Sequence, residues 1–200
     1  MNRYNLEHYN DPTPKKALEK VIKDKTKKDE DEAVNNVVEI VIRGEPVAQG
    51  RPRFSRHGEF VSVRDPEKSK SYKRLIYTEL LAQLTAKKAK QFPKEHPLFA
   101  CIISYRHIPK NFRKSRREDA EKGNEFPVTK PDTDNYIKIA LDALNKLLFR
   151  DDSAVTTIFS EKRYSSNPRM EITVCSRKNK ECIRRLIQEA IGDEERNVDD

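Results

Sequence analysis

Tryptophan is absent from this 200-residue chain, and there are only 5 glycines and 3 cysteines. Each scarcity excludes something. Without tryptophan, and with 35% hydrophobic against 37% charged residues, the chain is not expected to pack over its whole length. Cys101, Cys175 and Cys182 are an odd number without CxxC spacing, and His8, His57, His96 and His107 are scattered. A disulfide framework and a zinc site are therefore not expected, and the thiols read as reduced and structural. No run approaches the roughly 18 apolar residues of a membrane helix. The opening MNRYNLEHYNDPTPKK lacks the apolar core of a secretory leader. The expectation is a soluble cytoplasmic protein with no membrane partner and no nucleotide cofactor.

Positive charge is abundant and unevenly placed. The formal net charge is +8, yet residues 44–130 hold 20 basic and 10 acidic side chains, a surplus of 10, while residues 1–36 hold eight of each. A basic middle of this kind suits a polyanion. Within it, Arg51, Arg53 and Arg56 lie on a glycine- and proline-shaped loop where guanidinium groups can grip phosphate. The run from Arg106 to Arg117 adds Lys110, Arg113, Lys114 and Arg116, an electrostatic arm in which Phe112 is a candidate either for stacking on a base or for anchoring the loop.

Three parts are expected. Residues 1–36 read as a charged, disordered tail, 37–178 as the folded domain, and 179–200 as a terminal helix with an acidic end. A strand is predicted at 36–44, then a loop and a hairpin around RHGE. A helix follows, with Asp65 as N-cap and Tyr72, Ile76, Leu80 and Leu84 on one face. LFACIISYRHI, residues 98–108, is a buried strand, and 109–130 a long polar loop without periodicity. A second helix carries Ile137, Leu141, Leu144 and Leu148. Two strands joined by SSNP read as a hairpin, and Ile183, Leu186, Ile187, Ala190 and Ile191 line the last helix. The fold class is α/β (α+β), a small mixed sheet with helices packed on it.

Against the basic background, KPDTDNYIKIALDALNKLLFRDD places five aspartates in 23 residues. Asp132 and Asp134 share a face of an extended stretch, and Lys138 and Asp142 follow Asp134 at helical steps of four. Asp151 and Asp152 come just past the helix, where a compact fold brings them back toward the first pair. Helix capping and an i,i+4 ion pair account for the same residues more plainly. Carboxylates about 4 Å apart repel by roughly 4 kcal/mol at the effective dielectric near a protein surface, so three converging acids call for a cation. With no cysteine or histidine nearby, that cation is a hard one, Mg²⁺ or Mn²⁺.

The run KPDTDNYIKIALDALN, followed by DDSAV and preceded by GEPVAQGRPR, resembles the RusA family of Holliday-junction resolvases over residues 37–176. The resemblance implies a homodimeric, Mg²⁺-dependent endonuclease, with Mn²⁺ able to substitute, that resolves four-way DNA junctions by symmetric nicks. Its essential acids would be Asp132, Asp134 and Asp152, and its essential lysine Lys138. Asn135, Asp142 and Asp151 are supporting candidates, and Arg117 and Lys162 further DNA contacts. Gln49 stands where many relatives carry lysine. A non-catalytic binder of branched DNA and a single-nick flap nuclease are the alternatives. A restriction-type nuclease fits less well, since Ser160-Glu161-Lys162 does not supply acid-x-lysine.

Overall fold

The structure, a computed structural model, describes residues 31–57, 60–86 and 88–191. Strands β1 (Val37–Arg43), β4 (Leu98–His107), β5 (Val155–Ser165) and β6 (Arg169–Ser176) form one mixed sheet in the order β1-β6-β4-β5. Strands β2 (Arg53–His57) and β3 (Phe60–Arg64) form a separate ribbon. The helices are α1 (Glu67–Thr85), α2 (Lys114–Glu121), α3 (Thr133–Leu144) and α4 (Lys180–Ile191).

β4 is central, and its first seven residues are buried because both faces of the sheet are covered there. On one face, Val38, Ile40 and Ile42 of β1 join Ala100, Ile102 and Ile172 under α1 and α3. Tyr72, Ile76 and Leu80 of α1 and Tyr136, Ile139 and Leu144 of α3 fill that layer. On the other face, Cys182, Leu186 and Ala190 of α4 cover Phe99, Cys101, Ile103 and Cys175. The three thiols are free and buried, and burial raises that of Cys101 to about 11. They are packing groups, as their spacing suggests.

Four expectations change. β5 and β6 are not a hairpin: both pair with β4, β5 in parallel and β6 antiparallel. From Ser165 to Arg169 is four backbone steps, a reach of about 13 Å, enough to cross the end of one strand at about 4.8 Å per spacing. The most apolar strand thereby takes the doubly covered position. Asp65 does not cap α1, whose N-cap is Pro66 without a side-chain bond, because its carboxylate is drawn to Gln49 and Lys73. The polar 109–130 stretch contains α2, built from good helix formers and burying a single residue, Ala120, against Ile108 and Tyr164. One buried position creates no visible period. Finally, residues 31–35 of the expected tail are helical, with Ala33 buried and Glu32 paired to Lys90 at 2.7 Å. Residues 1–30 of that tail and the acidic terminus lie outside the described residues.

Candidate active site

α3 carries most of the acidic run. Its N-cap is Asp132, in extended backbone, with Asp134 in the first turn. Tyr136, Ile139, Ala140, Ala143 and Leu144 face the core, so Asp134 and Lys138 point outward; both are exposed, as is Asp132. Asp132 accepts no cap bond and has no side-chain partner among the described residues. Among the described residues Asp134 accepts only from the amide of its neighbour Asn135, at 3.1 Å.

The i,i+4 partnership of Lys138 with Asp142 does not form. The Asp142 carboxylate binds Lys73 of α1 at 2.8 Å, and Lys73 also binds Asp65 at 3.0 Å. Asp65 in turn accepts from the buried Gln49 side chain at 3.1 Å. Burial opposes the charge on Lys73, but the two carboxylates outweigh it and raise its pKa; the Lys73 hydrogen bond lowers that of Asp65. Lys138 is left without an ion pair among the described residues. Gln49 is structural here, and its backbone N–H bonds the Asn135 carbonyl at 2.8 Å, docking the arginine loop on α3. Gly50 is required at the next position, since a Cβ there would come within 2.8 Å of Pro66 Cγ. Nothing in the local sequence marks Lys73, which reads as one surface lysine among several; its partners are 8 and 69 positions away.

The start of α3 is held from the sheet. Arg106 donates to the Thr129 hydroxyl and the Lys130 carbonyl, and Lys162 to the carbonyls of Thr129 and Pro131, all at 3.0–3.2 Å. Both cations lie toward the C-terminal ends of the parallel strands β4 and β5. Asp151 and Asp152 lie at the other end, before β5 begins, beside residues 93–97 that lead into β4. Asp152 is exposed, first in a short 3₁₀ turn capped by Asp151, whose carboxylate accepts the Ser153 N–H at 3.0 Å. The twelve residues of α3, about 18 Å of helix, separate the two acidic groups. The folded chain does not bring Asp152 back to Asp132 and Asp134. Among the described residues, no three His, Cys, Asp or Glu side chains group to hold a metal ion.

The sequence profile described as Endodeoxyribonuclease RusA matches residues 43–175, from the end of β1 through all but the last residue of β6. This chain belongs to the RusA family. It is an endodeoxyribonuclease, a hydrolase that resolves Holliday junctions. An uncharacterized Bacillus subtilis (strain 168) protein, YqaN, is 40% identical over 139 residues, covering 68% of this chain and 94% of that one.

RusA nucleases depend on a divalent metal. The donors here fit a hard cation in one respect: the Asp132 and Asp152 carboxylates are exposed and have no side-chain partner among the described residues. Mg²⁺ usually keeps several waters and takes one or two carboxylates plus substrate phosphate oxygens, so an all-protein cage is not required.

The basic residues divide in the same way. Arg51, Lys110, Arg113, Lys114 and Arg117 are exposed; the side chains of Arg53 and Arg56 lie outside the described residues. Arg116 is engaged, bonded to Glu125 and stacked 3.9 Å over the Phe112 ring. Phe112 packs edge-on against Tyr164, so it anchors α2 and is not presented to a base. No helix among the described residues is long and apolar enough to cross a membrane.

Proposed function

We propose that this RusA nuclease cuts four-way junctions by paired nicks as a homodimer, each site combining Asp132 and Asp134 of one copy with Asp152 of the other. The supporting observation is the separation of the two acidic groups by the length of α3. A C₂ dimer supplies the missing carboxylate twice, giving two equivalent sites for two symmetric nicks. The apolar face of α4 is already covered by the sheet. The β2–β3 ribbon is the better dimer surface: it joins no other strand among the described residues, its Phe54 is 72% exposed, and an isolated two-stranded ribbon is marginal alone.

In this reading Asp132, Asp134 and Asp152 would hold Mg²⁺ or Mn²⁺, which would supply an activated water and polarise the scissile phosphate. Asn135 steadies the Asp134 carboxylate, and Asp151 shapes the turn that presents Asp152. Lys138, with no acid paired to it among the described residues, stabilises the charge that develops on the phosphate. Arg51 and the 110–117 arm bind the DNA backbone, which sets affinity and its salt dependence.

Mixing two inactive variants tests the composite site. A dimer of one Asp132→Asn copy and one Asp152→Asn copy has one doubly damaged site and one intact site. Single-strand nicking should return on mixing, whereas a site contained within one chain would leave the mixture inactive. Sedimentation should show about twice the 23.4 kDa chain mass; a strict monomer making paired nicks would refute the proposal.

A further inference from the structure

Lys162 looks like a phosphate contact in sequence, a basic residue ten positions past Asp152. Its amine is otherwise engaged. Side chains of neighbouring parallel strands opposite one another share a face, and Lys162 of β5 stands opposite Ser104 of β4. Arg106, two residues beyond Ser104, is on that same face, the one α3 covers. There the two cations converge on three consecutive residues, Thr129, Lys130 and Pro131, immediately before Asp132. Arg106 is 21% exposed, its Nε sits 3.5 Å from Glu45, and Lys162 is half-buried. Cations this far out of water depend on their hydrogen bonds, and the acceptors here are main-chain carbonyls and one hydroxyl. Reaching for DNA would leave those acceptors unmet.

We propose that Arg106 and Lys162 are positioning residues that fix the backbone ahead of Asp132, and so its carboxylate, acting on metal use and turnover and not on DNA affinity. This rests on Asp132 being a metal ligand. The spacing supports it: no free residue intervenes between the Pro131 carbonyl that Lys162 holds and Asp132 itself. A misplacement of about 1 Å at a reacting centre costs on the order of 10²-fold in rate, so a loosened clamp has a large effect without touching substrate.

Lys162→Met, Lys162→Arg and Arg106→Met separate the possibilities. With Lys162→Met and Arg106→Met, cleavage should fall by about 10²-fold and its Mg²⁺ midpoint should rise. Junction affinity in EDTA and its salt slope should match the parent, and Lys162→Arg should recover most of the activity. Hydrogen exchange of free protein should quicken in residues 126–135. The proposal is overturned if Lys162→Met weakens binding and lowers the salt slope by about one phosphate contact with the Mg²⁺ midpoint unmoved. It is also overturned if only the melting temperature drops, or if exchange in 126–135 is unchanged. Should the parent cleave no junction at any Mg²⁺ concentration, the metal-site reading fails, and the exchange measurement still decides whether the clamp exists.

Discussion

The two ends of α3 carry acids of the same type in different circumstances. At its start, Asp132 and Asp134 face solvent, with no partner among the described residues beyond a neighbouring amide. Near its end, Asp142 is bound to Lys73, which ties α1, α3 and the Asp65 junction together. The difference separates carboxylates committed to the fold from those available to a ligand. Helical spacing misleads on this point. Lys138 and Asp142 are four apart, the spacing of a helical ion pair although with the lysine first, the weaker order, and a lysine 69 positions away captures the aspartate. That capture leaves Lys138 uncommitted among the acids.

The largest expected effect is at the uncommitted acids. Asp132→Asn, Asp134→Asn and Asp152→Asn should each abolish cleavage in Mg²⁺ while junction binding in EDTA persists, because binding rests on arginine and lysine contacts to phosphate. Their melting temperatures should stay at the parent value, since among the described residues none makes an ion pair that unfolding would break. Near-normal turnover in any one of them would remove that residue from the site.

Lys138→Ala comes next. Loss of one group that stabilises transition-state charge typically costs about 10²–10³ in rate. Stability should not change measurably, since there is no Asp142 pair to lose. If the rate held and the melting temperature fell, Lys138 would belong with the structural charges.

Much of this was legible in the sequence, for physical reasons that differ by element. β4 and α3 announce themselves through a continuous apolar run and a helical stripe, both properties of a few adjacent residues. The acidic run was legible because carboxylates are conspicuous in a basic chain. The strand order was not, since the SSNP turn is as compatible with crossing β4 as with a hairpin, and only competition for the central position decides. Nor was the separation of Asp152 from Asp132, which depends on α3 running back along the sheet. The partners of Lys73, Arg106 and Lys162 escaped for the same reason: they are distant in sequence, and two of the three cations bind main chain, which has no side-chain signature.

At the committed end, Lys73→Met should cost about 1–2 kcal/mol of stability, the range for charge-assisted bonds discounted for partial exposure. Cleavage per folded molecule should stay close to the parent. The sign with pH follows from the shifts. Asp65 lies below its ordinary 3.8 and Lys73 above its ordinary 10.5, so the stabilisation is complete between those values. It is lost as pH falls through the lowered Asp65 value, and again as pH rises through the raised Lys73 value. Denaturant midpoints of parent and variant should therefore differ at pH 7 and draw together in strong acid. A constant gap down to pH 2 would mean that Lys73 acts through packing alone.

The smallest expected effect falls on the acid most easily confused with a ligand. Asp151 adjoins Asp152 and is equally exposed, but its carboxylate is occupied by Ser153, whose hydrogen bonds hold its pKa below the ordinary carboxylate value. Serine caps a helical turn about as well as aspartate. Asp151→Ser should thus keep the turn, leave Asp152 where it is, and cleave junctions indistinguishably from the parent, beside an inactive Asp152→Asn. Single-turnover rates of the two variants at saturating Mg²⁺ make the comparison. If Asp151→Ser were the inactive one and Asp152→Asn the active one, the roles within the pair would be reversed. The acid given to the metal would then be one that the free chain had spent on its own turn, and the division between committed and available carboxylates would fail at the pair where it is drawn most finely.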